Sequence, residues 1–306
     1  MKKLMLIDGN AIIHRAFHAL PPFKTSKGEL VNAVYGFASI LLHVLANFHP
    51  EHIAVSFDLK GKTFRHEEYK EYKATRHAAP DELYEQIPRI KELVRSFEIP
   101  IYEVEGFEAD DVLGTLAAQA EKELDIMTYI YTGDMDTLQL VTSRTNVVTP
   151  GKGLGEPVIY GPQKVLGKYG INPSQVPDMK GLQGDSSDNI KGVAGIGPKT
   201  TKILLQKYGT LENIYENIGE ITGKVHDNLE HDRENAFFSR KLATIVKDVP
   251  ICLDLPACRT HKYDRERVEK LFEELEFKTL IRRLDSFNNH SENVEKTEDS
   301  KQPSLF

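Results

Sequence analysis

One stretch of sequence decides the fold: Val104-Glu105-Gly106-Phe107-Glu108-Ala109-Asp110-Asp111-Val112-Leu113. It places three carboxylates, Glu108, Asp110 and Asp111, within four residues, and the apolar residues that follow recur at helical spacing. The acids therefore lie in the first turn of a predicted helix, where the partial positive charge of the helix N-terminus stabilises them. Taken alone, the stretch is explained by helix capping and a solvated helix face.

Other carboxylates change that interpretation because each follows a predicted strand. Short buried strands are predicted at residues 4–7, 53–57, 99–104 and 127–132, with helices between them. This alternation predicts an α/β fold in which a mostly parallel sheet is flanked by helices. Four acids then lie at one edge of the sheet, where open α/β sheets bind ligands: Asp8, Asp58, Glu108 and Asp134. Because like charges brought together repel, we expect cations at this edge.

Composition limits the class of protein. The chain has 306 residues, 40% of them apolar, and no run long enough for a membrane-spanning helix. Residues 1–8 favour a strand over a signal peptide. Cys252 and Cys258 suggest neither a disulfide framework nor a zinc site, so a cytoplasmic protein is predicted. The net charge of −7 has the wrong sign for a nucleic-acid binder as a whole, and a basic surface must be sought region by region.

Residues 59–79 form such a basic region. Aliphatic residues are few, and three aromatic residues, Phe64, Tyr69 and Tyr72, are interleaved with six cations: Lys60, Lys62, Arg65, Lys70, Lys73 and Arg76. We expect a mobile, partly helical excursion that packs poorly into a core.

A second basic region follows residue 160, where strand signals fade and short helices dominate. Glycines at 192, 195 and 197 precede a predicted helix, and residues 191–207 contain basic but no acidic side chains. Converging backbone N–H groups and a helix start form an anion-binding nest. We therefore predict a hairpin that binds a phosphodiester backbone without reading sequence; an ordinary glycine-rich turn is the alternative.

Nine carboxylates enter one metal-site hypothesis: Asp8, Asp58, Glu108, Asp110, Asp111, Asp134, Asp136, Asp185 and Asp188. Ligand sets of oxygen alone suit Mg²⁺ or Mn²⁺ rather than zinc. Two such ions about 3.5–4 Å apart would clamp the attacking and leaving oxygens of a phosphodiester. His14 and His18 are interpreted as helix-surface or core residues rather than catalysts.

Eight motifs stand in order along the chain: Leu6-Ile7-Asp8-Gly9 with Arg15-Ala16-Phe17-His18-Ala19-Leu20, Phe57-Asp58, Phe64-Arg65-His66-Glu67, Tyr72-Lys73-Ala74-Thr75-Arg76, Glu108-Ala109-Asp110-Asp111, Gly133-Asp134-Met135-Asp136, Gly184-Asp185-Ser186-Ser187-Asp188-Asn189 and Gly195-Ile196-Gly197-Pro198-Lys199-Thr200. Together they resemble the bacterial and phage 5′-nuclease family, which includes the N-terminal nuclease domain of DNA polymerase I and the flap endonucleases. The resemblance covers residues 1–285. It implies a PIN-like or resolvase-like catalytic domain and a helix–three-turn–helix subdomain.

The resemblance also implies an activity. Family members carry out Mg²⁺-dependent 5′–3′ exonuclease and 5′-flap endonuclease cleavage of DNA and RNA primers, in replication and repair. A first metal site would be served by Asp8, Asp58, Glu108, Asp110 and Asp111. A second would be served by Asp134, Asp136, Asp185 and Asp188.

Nucleic-acid contacts are implied as well. The basic excursion would be the family's helical arch, with Lys73 and Arg76 reaching the scissile phosphate and Tyr72 stacking on a base. The remaining implied DNA contacts are Arg15, Arg65, Lys191, Gly195, Gly197, Lys199, Thr200 and Lys202. The hairpin could also bind K⁺, and the substrates would be nicked, branched or flapped duplexes. Met135 and Lys191 depart from the residues common in relatives, which bears on substrate preference rather than activity.

The predicted organisation is a catalytic domain at 1–170 with the arch at 59–79, a helical domain at 171–285, and a disordered tail at 286–306. Residues 259–285 are predicted to form a charged amphipathic helix. The last residues, Gln302-Pro303-Ser304-Leu305-Phe306, resemble the pentapeptide that binds the bacterial sliding clamp, with Gln302, Leu305 and Phe306 as contacts. We therefore expect a stand-alone, monomeric, nucleoid-associated nuclease.

Two rival functions remain at this point. A small ribonuclease of the PIN class would share the acidic sheet but not the arch or the glycine-rich hairpin. A non-catalytic binder of DNA structures would gain nothing from nine carboxylates that repel phosphate.

Overall fold

A mostly parallel sheet organises the N-terminal half of the protein. The computed structural model describes residues 1–76, 78–151, 156–260 and 263–284. Within these residues the sheet has six strands in the order β3-β2-β1-β4-β5-β6, and only β6 runs antiparallel to its neighbour. The strands are β1 Lys2–Asp8, β2 His52–Ser56, β3 Ile101–Tyr102, β4 Ile126–Tyr131, β5 Thr145–Thr149 and β6 Val158–Tyr160. The predicted fold class is confirmed, although β3 is shorter than predicted and β5 and β6 were not predicted.

Helices cover both faces of this sheet and then form the C-terminal half. Those of the first half are α1 Gly9–Ala19, α2 Asn32–Phe48, α3 Phe64–Glu68, α4 Asp81–Tyr84, α5 Ile87–Ser96 and α6 Ala109–Ala120. Those that follow are α7 Pro162–Tyr169, α8 Val176–Gln183, α9 Pro198–Tyr208, α10 Leu211–Glu216, α11 Lys224–His231, α12 Arg233–Ala243 and α13 Arg265–Glu274. No helix among the described residues combines the length and the apolar content needed to cross a membrane.

The central strand β1 shows how one sequence supplies two cores. Met5 and Ile7 pack with α1, α2 and α5, whereas Leu4 and Leu6 pack with α6 and with helices of the C-terminal half. Successive side chains of a strand point to opposite faces, so a continuous apolar run is what a strand buried on both faces requires. The parallel strands also bring their C-terminal ends to one edge, where Asp8 pairs with Ser56 in register.

The last helix belongs to the first core rather than to the helical half. Val268 and Phe272 of α13 are fully buried in the cluster formed by β1, α2 and α5, and the Phe272 ring lies 6.3 Å from that of Phe97. The predicted helical domain at 171–285 is therefore not one packing unit. The apolar face of α13 was recognised in the sequence, but its partner could not be read from spacing. The predicted tail at 286–306, with Gln302, Leu305 and Phe306, lies outside the described residues.

The basic segment at 59–79 differs from its prediction. It contains the short helix α3 followed by turns, and its aromatic residues supply the apolar surface that aliphatic residues do not. Tyr72 is 4% exposed and packs with Ile190 and Leu242, while Arg65 is 3% exposed. The segment is therefore anchored to the C-terminal half instead of standing clear of it.

Candidate active site

A pocket of about 290 Å³ lies at the C-terminal edge of the parallel strands. Seven carboxylates line it among the described residues: Asp8, Asp58, Glu108, Asp110, Asp134, Asp136 and Asp188. Arg65, Lys73 and Arg76 also line it, all from the segment at 59–79. The structure thus brings together acids separated by up to 180 residues, with cations that only partly balance their charge.

Four of the predicted ligands also take part in capping helices. Asp8 accepts a hydrogen bond from Ala11 N at 3.0 Å and begins α1, and Asp134 accepts one from Asp136 N at 2.8 Å at the start of a 3₁₀ turn. Glu108 and Asp111 form a reciprocal capping box at the start of α6. The capping interpretation and the metal interpretation are therefore compatible, because a helix N-terminus stabilises the acid that a cation would also bind.

Burial, together with the charges of neighbouring acids, raises the pKa of several of these acids. Burial, reinforced by the charges of Asp58 and Asp134, raises the pKa of Asp8 to about 6. Burial and the neighbouring Asp134 raise the pKa of Asp136 to about 6, and burial together with the charges of Asp8 and Asp134 raises that of Asp110 well above its ordinary value. Such a site favours a bound cation, which would offset the repulsion between the carboxylates.

The donor set fits a hard divalent ion. Asp136, Asp185 and Asp188 each place a carboxylate oxygen within 4.8 Å of the others. Asp8, Asp58, Glu108 and Asp110 share the pocket beside this cluster. All of these donors are oxygens, which suits Mg²⁺ or Mn²⁺. Of the nine predicted ligands, the structure therefore places eight around the pocket or at its three-acid cluster.

Asp111 is the ninth, and the structure gives it a different role. Its carboxylate is completely buried and accepts hydrogen bonds from Arg65 Nη1 at 2.6 Å, from Arg65 Nη2 at 2.8 Å and from Val246 N at 2.8 Å. It also accepts from Glu108 N at 3.2 Å. Asp111 does not line the pocket, so the ligand role expected from the sequence is replaced by a structural one.

Arg65 likewise holds protein rather than phosphate in this structure. Besides Asp111, its guanidinium donates to Glu108 at 3.4 Å and to the carbonyls of Leu242 and Thr244 at 2.8 and 2.9 Å. These contacts occupy all five N–H donors of an arginine. The expected phosphate contact is therefore corrected: Arg65 ties the basic segment to α6 and to the end of α12.

Tyr72, Lys73 and Arg76 cover the pocket. The Tyr72 hydroxyl lies 3.0 Å from Asp188 Oδ2 and 3.1 Å from Glu108 Oε2, and its buried ring leaves no face for the predicted base stacking. The Lys73 ammonium is 2.7 Å from Glu108 Oε1, and Arg76 forms an ion pair with Asp188. Burial lowers the pKa of the Lys73 amine, but the charges of Glu108 and Asp188 outweigh it, so the net pKa is raised.

Other predicted DNA contacts lie away from the pocket. Arg15 donates to the carbonyl of Gly151 and lines a separate groove between α1 and α2. In the glycine-rich hairpin, Gly192 and Gly195 have positive φ values of 67° and 73°, as a nest requires. One of its N–H groups, that of Ala194, already donates to Asp232 at 2.8 Å. The exposed side chains nearby are Lys191, Lys199 and Lys202, while Gly197 and Thr200 are half-buried.

Sequence reasoning missed several residues that shape the site. Asn10 donates to Asp58 Oδ2 at 2.5 Å, and Thr132 donates to Asp8 Oδ2 at 2.6 Å. His14, interpreted as a surface or core residue, lines the pocket, and burial lowers its pKa. Lys180 contacts two acids of the three-acid cluster. The available signal was proximity in sequence: Asn10 and Thr132 lie within two residues of predicted ligands, and Lys180 precedes the predicted ligand Asp185 by five residues.

Comparison with known proteins gives consistent results. A family profile described as 5′-3′ exonuclease, N-terminal resolvase-like domain, matches residues 3–170, and one described as 5′-3′ exonuclease, C-terminal SAM fold, matches residues 171–266. DNA polymerase I of Bacillus subtilis is 44% identical over 299 residues, which is 97% of this chain and 34% of that protein. DNA polymerase I of Bacillus caldotenax is 45% identical over 292 residues, 95% of this chain and 33% of that protein. The chain thus spans about a third of the length of these relatives.

Solved structures share the fold. A phage T5 5′-exonuclease with bound zinc superposes with a TM-score of 0.67 at 21% identity, covering 90% of this chain and 98% of that one. The catalytic core of Rad2 in complex with DNA substrate superposes with a TM-score of 0.57 at 18% identity, covering 90% and 88%.

A carboxylate pocket at the edge of a parallel sheet, covered by cations and flanked by a helical half, is an arrangement suited to the metal-dependent nuclease class. The chain belongs to the 5′–3′ exonuclease family, whose two domain profiles together match residues 3–266.

Proposed function

We propose that this chain hydrolyses DNA phosphodiester bonds at free 5′ ends and at the base of 5′ flaps, using Mg²⁺ or Mn²⁺. The observation that carries the proposal is the pocket itself, where seven carboxylates lie beneath Lys73 and Arg76. The acids supply metal ligands, and the cations supply partners for phosphate. Metal-assisted displacement at a phosphodiester uses both kinds of group in one pocket.

The proposed ligands form two groups. Asp8, Asp58, Glu108 and Asp110 would hold one ion, and Asp134, Asp136, Asp185 and Asp188 would hold another. When bound, such ions act as Lewis acids toward phosphoryl oxygens and stabilise the charge on the attacking and leaving oxygens. The chain's own contribution is to hold the ligands in place through the caps of Asp8 and Asp134 and through Asn10 and Thr132.

Lys73 and Arg76 are the proposed phosphate contacts. Each is paired with a pocket carboxylate, so each already points toward the place where a phosphodiester would meet the ligands. A phosphate oxygen is a comparable partner for an ammonium or a guanidinium group. Exchange of partner would place positive charge on the phosphate that is attacked, which stabilises the transition state more than the ground state.

The hairpin at 192–200 is proposed to hold the duplex beside the cleaved strand. Gly195, Gly197 and Thr200 would present backbone and hydroxyl groups, and Lys191, Lys199 and Lys202 would supply charge. Tyr72, buried here, would contact DNA only after the basic segment moves. The proposal also includes K⁺ binding by the hairpin and cleavage of RNA primers. It further includes a monomeric state, nucleoid association in the cytoplasm and clamp binding through residues 302–306.

Cleavage of a 5′-labelled flap duplex in Mg²⁺ tests the function. Asp110→Ala and Asp185→Ala should each lower the rate by about a hundredfold or more, because each removes a ligand of one proposed ion. Asp227→Ala, which removes an exposed carboxylate of α11, should leave it unchanged. Wild-type rates in both ligand variants would refute the metal assignment. Flap binding without any cleavage by the wild type would favour the non-catalytic binder.

A further inference from the structure

Lys180 contacts the proposed second metal cluster directly. Its ammonium lies 2.5 Å from Asp136 Oδ1 and 2.5 Å from Asp185 Oδ2, and its side chain is only 15% exposed. Those two acids, with Asp188, form the cluster whose oxygens lie within 4.8 Å of one another. A lysine ammonium is a compact point charge that donates to carboxylates in several directions. Its place between two proposed ligands is therefore the place that a small cation would need.

We propose that Lys180 competes with the second divalent ion for Asp136 and Asp185, and so makes that ion bind weakly until the lysine finds another partner. This inference rests on the proposed function. The competition is local because α8 itself is held in place: a Cβ on Gly181 would lie 2.8 Å from the carbonyl oxygen of Ala236 on α12. The flexible side chain of Lys180 can therefore change partner without a movement of α8.

A consequence for substrate use follows from linkage. Any anion that accepts the ammonium of Lys180 raises the affinity of the cluster for a divalent ion, and the ion raises the affinity for that anion by the same factor. A DNA phosphate is such an anion. Lys180 would thereby couple loading of the second ion to the arrival of DNA.

A purely structural role of Lys180 predicts the opposite change in metal affinity when the lysine is removed. If Lys180 served only to hold the Asp185 loop against Asp136, its removal would loosen the ligands and weaken ion binding. If Lys180 competes, its removal strengthens ion binding. Metal affinity therefore separates the two roles, and activity is not needed to do so.

The competition is tested by titrating the full chain with Mn²⁺ in the absence of DNA and measuring the binding by calorimetry. For Lys180→Met, which keeps the length of the side chain without its charge, the weaker Mn²⁺ site should tighten about tenfold or more. Lys180→Arg, which keeps the charge, should leave that site weak. Lys122→Met is the matched control, because this exposed lysine follows the opposite end of α6 from the pocket.

The possible outcomes distinguish failure of the competition from failure of the proposed metal site. Equal or weaker Mn²⁺ binding by Lys180→Met, with normal binding by wild type, would overturn the competition alone. If the weaker Mn²⁺ site tightens in both Lys180→Met and Lys122→Met, the change is a general effect of net charge, and the competition is overturned as well. No Mn²⁺ binding by wild type or either variant would overturn both the competition and the proposed metal site.

Discussion

The guanidinium of Arg65 and the carboxylate of Asp111 form a bidentate ion pair inside the protein, with N···O distances of 2.6 and 2.8 Å. Their side chains are 3% and 0% exposed, and the two residues are 46 positions apart in sequence. The pair joins the basic segment to the helix that carries Asp110, so one buried contact links the cations above the pocket to the acids below it.

Breaking this pair should destabilise the protein strongly. Arg65→Ala leaves the Asp111 charge buried without its cation, and loss of one partner of a buried pair costs about 3–5 kcal/mol. Denaturant unfolding of the variant would measure the loss. Lys207→Ala provides the control, because its pair with Glu220 is 57% exposed on both sides and should change stability by less than about 1 kcal/mol. An equal, small effect of both changes would contradict the structural role of Arg65.

Lys73→Ala should slow cleavage by about a hundredfold while leaving duplex binding nearly unchanged. The reason is its position: the ammonium contacts Glu108 at the pocket rather than the surface of the hairpin. Single-turnover cleavage and equilibrium binding of the same flap substrate would separate the two effects. Lys70→Ala, which removes an exposed lysine of the same segment, is the matched control. A parallel loss of binding and cleavage in Lys73→Ala would indicate general charge attraction instead.

The loop that carries Asp185 and Asp188 depends on Gly192. Its φ is 67°, and a Cβ there would overlap the backbone of Gly184, whose own φ is 75°. Gly192→Ala should therefore cost about 1–2 kcal/mol for the left-handed backbone alone, with a further cost from the overlap. Thermal unfolding would measure it. Gly219→Ala, at a position with open space and no positive φ, should be close to neutral. A neutral Gly192→Ala would contradict the close approach of the two backbones.

Without divalent ions, stability should fall as the pH rises from about 5 to about 7.5. Burial raises the pKa of Asp8 and Asp136 to about 6 and that of Asp110 well above its ordinary value, so the folded protein binds more protons than the unfolded chain across that range. His14 and His52 act in the opposite direction, since burial lowers their pKa, but the raised acids outnumber them. Acids with a lowered pKa complete their titration below this range.

Melting temperatures in EDTA and in Mg²⁺ at both pH values would check this dependence. Mg²⁺ should remove most of the fall, because an ion that binds only the folded state stabilises it. Asp110→Asn should raise the melting temperature in EDTA at the higher pH by relieving repulsion. A melting temperature in EDTA that rises with pH would contradict the sign of these pKa shifts.

The sequence by itself determined the sheet and the edge at which the acids meet. Asp8, Asp58, Glu108 and Asp134 follow apolar runs, and parallel strands must bring their C-terminal ends to one edge. Local spacing was sufficient here because strand direction alone sets the location of these residues. Asp185 and Asp188 follow no strand, and only the structure places them with these acids, so that eight of the nine predicted ligands lie around the pocket or at its three-acid cluster.

Only the tertiary structure decided what each neighbouring side chain does. Asp110 and Asp111 are adjacent in sequence, but successive helical residues are about 100° apart around the axis, so one faces the pocket and the other faces Arg65. Lys180 meets Asp136 only after α8 packs beside the sheet edge. α13 returns to the first core because its apolar face fits α5, a contact between surfaces more than 170 residues apart. Such roles depend on which surfaces pack together, and no local pattern of residues encodes that choice.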